Sequence, residues 1–300
     1  MDQLESMRLF VRVAEQGSFS AVAQQTDIAR SVVTRHIAAL EARLGVKLIA
    51  RSTRSMSLTS AGTAYLDKCR EILNLVEAAE TGLDAERQQP RGLIRISLPL
   101  SFGQRYLVPV LLEFSANYPE VELDLDFTDR RANLIEEGID LAVRITDRLR
   151  PQEVVRKLGT TRMVAVASPD YLGRHGEPQH PSELARHECL PYTLSPVSTW
   201  TFMEDGNPIS IPVHGRLQAN NGDALLQAAI RGLGIAYQPT FIAGDAIRAS
   251  QLQAILTSYT NLENGIYAVL PGNRHIPLRV RVLIDFLTAE LGNGANWNQI

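Results

Sequence analysis

Apolar residues in the first sixty positions recur at helical intervals. Leu4, Met7, Phe10, Val11 and Ala14 lie three or four residues apart, and Gly17 closes the segment. Ser20 is a suitable N-cap for a short second helix through Ala21, Val22, Ala23 and Gln24, with Thr26-Asp27 as the turn. A third stripe, Val33, Ile37, Leu40 and Leu44, ends at Gly45. Leu48 to Arg51 and Ser55 to Leu58 then read as two short strands joined by Ser52-Thr53-Arg54. From a cap at Thr59 a long helix runs to about Glu86, with Tyr65, Cys69, Ile72, Val76, Ala79 and Leu83 alternating steps of four and three. So narrow a seam on a long helix points to a second copy of itself as the partner; the alternative is packing on the chain's own C-terminal body.

Gln88-Gln89-Pro90-Arg91-Gly92 is polar and helix-breaking, and after it strands alternate with helices. Leu93 to Leu98 reads as a strand and Leu107 to Ala116 as a helix. Val121, Leu123, Leu125 and Phe127 share one strand face, a helix closes at Gly138, and Ile139 to Ile145 follows as a strand. This βαβαβ order predicts a mostly parallel sheet with right-handed crossovers. A comparable set is expected over residues 163–265, and Ile266 to Leu270 with a helix from Pro277 to Leu291 completes the body.

Three hundred residues exceed one typical domain, so two or more folded units are expected. No run of about 18 apolar residues exists, and the acidic start Met1 to Glu5 lacks the basic, then apolar, pattern of a secretory signal; a cytoplasmic protein with no membrane role is expected. Cys69 and Cys189 are too far apart in sequence for a metal knuckle and read as packing thiols, with a redox switch as the alternative. The six histidines show no metal-ligand spacing.

The net charge of −3 is uninformative until it is localised. Between Ile28 and Arg70 eight cations (Arg30, Arg35, Arg43, Lys47, Arg51, Arg54, Lys68, Arg70) face only Glu41 and Asp67. That basic patch falls on the third helix and the two strands. Ser31, Thr34, Arg35 and Ala38 lie opposite the buried stripe of the helix, small or hydrogen-bonding groups of the kind that fit a major groove about 12 Å wide. Periodicity alone leaves an ordinary solvated face equally open. The strand pair breaks the tie, since it forms a wing with Arg51 and Arg54 near its tip, placed to grip phosphates.

Residues 4–62 resemble the winged helix-turn-helix of LysR-type transcriptional regulators. The likeness lies in Phe10 to Ala14, Gly17-Ser18-Phe19-Ser20, Ala23, Val33-Thr34-Arg35, Leu40-Glu41, Leu44-Gly45, Leu48, Arg51-Ser52-Thr53-Arg54 and Leu58-Thr59-Ser60-Ala61-Gly62. The resemblance implies DNA contacts at Arg30, Ser31, Thr34 and Arg35 on the helix and at Arg51, Thr53 and Arg54 on the wing. Ala29 and Ser31 stand where the family usually has a Ser cap and a Pro, and Thr34 where Ser is commoner. Glu137 to Ala142, Ser168-Pro169-Asp170-Tyr171-Leu172 and Gly232-Leu233-Gly234-Ile235-Ala236 resemble the family's effector domain. The fold class so implied is α/β overall: an all-α winged helix-turn-helix over 1–60, a dimerising linker helix over 61–88, and a two-lobed domain like a periplasmic binding protein over 89–300. Its first lobe would hold about 91–162 and 266–300, its second about 163–265.

In such sheets ligands sit beyond the carboxyl ends of the strands. The loops there are Pro99 to Phe102, Thr128-Asp129, Arg144 to Thr146, the region of Thr199-Trp200, and Asn220-Asn221-Gly222 before a helix. Ser101, Phe102, Thr128, Arg144, Thr146, Trp200 and Asn220 are the expected effector residues, with Ser101 and Thr128 strengthened by the family match. Two helix N-termini and Arg144 favour a small carboxylate; a structural ion pair is the alternative for Arg144.

The expected partners are a dyad-symmetric promoter duplex, further copies of the chain as dimers and then tetramers or larger assemblies, RNA polymerase, and the effector; no cofactor or metal is expected. Against an enzyme stands the lack of GxSxG, GxxxxGK[ST] and HExxH motifs. A ligand-binding protein without a DNA role is the remaining alternative.

Overall fold

The computed structural model describes residues 2–51, 56–81, 89–131, 133–147, 149, 153–194, 198–259, 263–272, 276–292 and 296–298. The chain divides into two compact units, Met1–Gln88 with His275–Leu278, and Gln89–Arg274 with Arg279–Ile300.

The first unit opens with α1 (Gln3–Gln16), α2 (Phe19–Gln25) and α3 (Arg30–Leu44). Asp2 caps α1 by accepting from Leu4 N at 3.0 Å, and Gly17 and Gly45 end α1 and α3 in the left-handed conformation. The cap of α2 is Ser18, whose hydroxyl accepts from Ala21 N, so that helix starts before the expected Ser20. Phe19 is thereby placed inside the helix, where it is buried. Ala29 caps α3 with no side-chain bond, as its methyl group requires. Met7, Phe10, Val13, Val22, Val33, Ile37, Leu40 and Leu48 fill the core.

The antiparallel pair β1 (Ile49–Arg51) and β2 (Met56–Leu58) follows, then α4 (Ser60–Thr81). Thr59 accepts from Gly62 N at 2.9 Å and donates to Lys47 O at 2.7 Å, so one hydroxyl caps α4 and ties it to the chain ahead of β1. A Cβ on Gly62 would overlap the Leu48 carbonyl, which is why this helix turn can pack there only with glycine. The seam expected to face a second copy is divided. Leu66 and Cys69 are buried in the core of their own unit with Tyr65 and Leu73 against them, and Tyr65 meets Phe10 at 5.8 Å between ring centroids. Ile72 is 37% exposed, so among the described residues the apolar surface open to a partner begins there.

In the second unit β3 (Gly92–Leu98) pairs in parallel with β4 (Val121–Phe127) and β5 (Leu141–Thr146). Between β3 and β4 the chain forms a turn of helix, α5 (Leu100–Phe102), a π-turn Gly103–Leu107, and α6 (Val108–Asn117). The stretch before Gly138 is a turn rather than the expected helix. Its ring is closed by side chains: Asn133 N and Arg130 both donate to the Glu137 carboxylate.

The sheet as a whole is mixed, which corrects the expectation of a mostly parallel one. Strand order is β10 (Gln253–Ile255), β6 (Val154–Ala167), β11 (Glu263–Leu270), β5, β3, β4, with β9 (Ala236–Pro239) also on β6. β11 (Glu263–Leu270) lies antiparallel to both β5 and β6 (Val154–Ala167). The 14-residue β6 pairs with β11 along its first part. Along its last part it pairs with β9 (Ala236–Pro239) and β10 (Gln253–Ile255), both antiparallel. One continuous strand thus carries the chain from the first lobe into the second, and residues 163–265 do not repeat the parallel βαβαβ unit. The second lobe also contains α7 (Pro169–His175), a hairpin of β7 (Thr199–Glu204) and β8 (Asn207–Pro212), α8 (Gly222–Ile230) and α9 (Thr240–Arg248). The hairpin turns on Asp205-Gly206, both at positive φ. α10 (Leu278–Gly292) and a 3-10 turn at Asn296–Asn298 end the chain's described structure.

Candidate functional site

Along α3, Val33, Ile37 and Leu40 are buried, while Arg30, Ser31 and Arg35 are exposed and Thr34 is half-buried. The side chains predicted to face DNA therefore share the solvent side of the third helix. Among the described residues no carboxylate pairs with Arg30 or Arg35, which leaves both guanidinium groups free for an external anion. The opposite flank of α3 is pinned to α1: His36 Nδ1 lies 2.9 Å from Ser6 Oγ, and Arg43 donates to the Gln3 amide. Ser6 Oγ gives its one proton to Asp2 O at 2.8 Å, so the ring Nδ1 is the donor in that bond. Arg51 ends β1; its side chain, and the predicted wing contacts Thr53 and Arg54, lie outside the described residues.

One residue that the expected DNA contacts did not include holds helix and wing together. Glu41, 7% exposed, accepts from Leu48 N at 3.0 Å and Ile49 N at 3.2 Å, and from Lys47 Nζ at 2.6 Å. Burial alone would raise its pKa, but the Lys47 ammonium and the two backbone N–H groups outweigh it and hold the carboxyl below its ordinary value. The sequence signal was the one acid between Arg30 and Arg54.

At the carboxyl ends of β3 and β4 a pocket of about 170 Å³ opens toward the second lobe, lined by Leu100, Phe127, Thr128, Asp129, Arg130, Leu194, Asn220 and Asn221. Of the predicted effector residues, Thr128 and Asn220 line it. Ser101 is adjacent but engaged, its hydroxyl donating to the Asp223 carboxylate in the first turn of α8. Arg105 also pairs with Asp223 and donates to Phe241 O at 3.0 Å. Asp129 accepts from Leu100 N at 3.0 Å. Burial, and then the Asp129 charge and hydrogen bond, push the Tyr192 phenol well above its usual range. Asp223 and Tyr192 come from the second lobe, so two polar clasps cross the cleft beside the pocket. Neither could be read from local sequence, because each partner lies about sixty residues or more away.

Arg144 and Thr146 lie on β5 outside the pocket lining. Arg144 donates to Ser97 Oγ at 3.1 Å and to Val143 O at 3.2 Å, and forms no ion pair among the described residues. Burial lowers its pKa, partly offset by Asp129 and Asp126. Thr146 accepts from Arg131 at 3.4 Å.

Phe102 and Trp200 are placed differently from expectation. Phe102 is fully buried against Tyr106, Phe241 and Trp297, and Trp200 packs in the second lobe's core 5.6 Å from Tyr237. Thr199-Trp200 begins a strand of the β7–β8 hairpin instead of a loop at the sheet's carboxyl edge, and the overlooked signal was the Asp205-Gly206 turn.

The two thiols are buried. Burial pushes Cys69 up to about 11 and Cys189 up to about 12, which opposes formation of the reactive thiolate. Among the described residues no helix is long and apolar enough to cross a membrane, and no group of His, Cys, Asp or Glu is arranged to hold a metal.

Residues 4–63 match the model of the bacterial regulatory helix-turn-helix protein, lysR family, and residues 87–292 that of the LysR substrate binding domain. The chain is 36% identical over 292 residues to the HTH-type transcriptional regulator CrgA of Neisseria meningitidis serogroup C, covering 96% of this chain and 97% of that protein. It is 30% identical over 288 residues to the HTH-type transcriptional activator TtdR of Escherichia coli K12, covering 95% and 92%. The solved structure of CrgA superposes with a TM-score of 0.61 at 34% identity, covering 96% of this chain and 99% of that one. Full-length AphB of Vibrio cholerae gives 0.59 at 28% identity, covering 96% and 99%.

Proposed function

Because this chain belongs to the LysR family of bacterial transcriptional regulators, with the helix-turn-helix and effector-binding parts both present, we propose that it reads a dyad-symmetric promoter through α3 and senses a small carboxylate in the inter-lobe cleft. The observation that carries the DNA half is the solvent face of α3, with Arg30, Ser31, Thr34 and Arg35 opposite a buried stripe and, among the described residues, no carboxylate paired with Arg30 or Arg35. Arg35 reads a base edge and Arg30 grips phosphate, while Arg51, Thr53 and Arg54 of the wing hold the backbone. The division of labour is a reader over 1–60, a dimerising linker over 61–88 and a sensor over 89–300. Pairing through the linker sets two recognition helices on successive grooves, in the cytoplasm and within reach of RNA polymerase.

The carboxylate assignment rests on what Ser101 and Arg105 already hold: the carboxylate of Asp223. A ligand acid would take that place, with Thr128, Asn220 and Asn221 lining the remainder, and would thereby change how the lobes meet. An effector shifts DNA binding only as far as it prefers one lobe arrangement to the other.

Salt-titrated binding of the protein to its own upstream region tests the DNA half. Arg35→Ala should cost about 1–3 kcal/mol on the cognate site and much less on random duplex. Equal losses on both would remove the readout role. For the cleft, melting shifts with a panel of small carboxylates should vanish in Ser101→Ala and Thr128→Ala; shifts that persist unchanged would remove the assignment.

A further inference from the structure

The 3-10 turn Asn296–Asn298 touches three separate parts of the second unit. Trp297 Nε1 and Asn298 Nδ2 donate to the same oxygen, Thr160 O, at 2.8 and 2.9 Å. Asn298 Oδ1 accepts from Arg162 N at 3.1 Å and from Thr240 Oγ1 at 2.9 Å, and Arg162 Nη2 donates to Asn298 O at 2.6 Å. The Trp297 ring stands edge-on to Phe102 at 5.3 Å and to Tyr106 at 5.5 Å. Phe102 and Tyr106 belong to the first lobe, Thr160 and Arg162 to the strand that crosses between lobes, and Thr240 to the start of α9 in the second lobe.

The strand is irregular four residues before that crossing, which comes where its pairing passes from β11 (through Arg162) to β9 (from Met163). Ile266 of β11 faces Gly159 but Tyr267 faces Lys157, leaving Leu158 as an extra residue. Such a bulge bends a strand and disrupts its ladder locally, so it weakens the pairing of β6 just ahead of the crossing. Trp297 covers it, close enough that a Cβ on Gly159 would lie 3.2 Å from Cζ2. Any rotation of one lobe against the other where β6 passes from β11 to β9 changes the separation of Phe102 and Thr160 from Thr240. A single turn bonded to all three must then release at least one of them.

We propose that the C-terminal turn is a brace on the hinge, with Trp297 and Asn298 as positioning residues that set the angle between the lobes. The proposal concerns lobe geometry and goes beyond the effector assignment, which its test does not require. Spin labels on Cys introduced at Asn117 in the first lobe and Asn207 in the second report the inter-lobe distance, in full-length protein diluted into unlabelled chains. Both native thiols are buried and take no label. Asn298→Ala removes three side-chain hydrogen bonds and should raise the population of non-native separations by about tenfold or more. Should Asn298→Ala fail to fold, Trp297→Phe removes the indole donor while leaving a ring, and the same broadening is expected. A turn that serves stability alone would lower the melting temperature and leave the distances unchanged, and that result would overturn the proposal.

Discussion

Glu41→Ala separates the joint between recognition helix and wing from the rest of the first unit. The substitution leaves Leu48 N and Ile49 N without their acceptor and Lys47 without its partner. The Lys47 side chain is 77% exposed, so that ion pair contributes only about 0–1 kcal/mol. Each buried N–H left unsatisfied costs about 1–3 kcal/mol, and the expected total for the two is about 2–6 kcal/mol. For a unit of this size the melting midpoint should fall by at least about 10 °C. Both tryptophans, Trp200 and Trp297, lie in the second unit, so their emission is an internal control while helical circular dichroism reports the loss. Glu41→Gln keeps Oε1, which accepts from both Leu48 N and Ile49 N, and gives up only the charge and the Lys47 pair, so it should cost about 1 kcal/mol. The sign of the pH dependence follows from the depressed pKa. The carboxylate stabilises the fold above the ordinary value of 4.5, and that stability is lost as pH falls through the lower folded value. The gap between wild type and Glu41→Gln should therefore close at acid pH. A Glu41→Ala protein that melts with wild type, and binds promoter DNA with unchanged affinity, would refute this account.

Gly62→Ala forces a methyl into the Leu48 carbonyl and should cost about 3 kcal/mol or more, read as loss of folded first unit by circular dichroism; a wild-type melt would show that the α4 turn shifts freely. Cys69 and Cys189 should not react with Ellman's reagent at pH 8 until denaturant is added, and rapid native reaction would contradict their burial. Tyr192→Phe removes the donor to Asp129 and should destabilise the second unit by about 0.5–1.5 kcal/mol near neutral pH, read by tryptophan emission. Because the folded phenol ionises at higher pH than the unfolded one, its contribution is present below about pH 10 and lost above it. The variant should thus show a flatter alkaline limb, and an identical limb would exclude Tyr192 as its source.

Local chemistry was enough to place the reading head. Helices α1 and α3 with their glycine caps, the strand pair and the Thr59 cap all follow from residues within one or two turns of each other, and so does the solvent face of α3 that carries Arg30 and Arg35. Where a side chain's partner is distant in the chain, pattern carried no such information. A 3.5-residue repeat cannot tell whether Tyr65 and Cys69 meet a second copy or their own core, because both are apolar neighbours; only the docking of α4 on α1 decided it. The same holds for strand direction, since the antiparallel return of β11 between β5 and β6 depends on contacts across about a hundred residues. It holds for the cleft too. Ser101 was legible as a hydroxyl at a strand end, but its engagement by Asp223, the clasp of Tyr192 on Asp129, and the burial of Phe102 and Trp200 arise only when the two lobes fold around β6, where packing rather than periodicity chooses each neighbour.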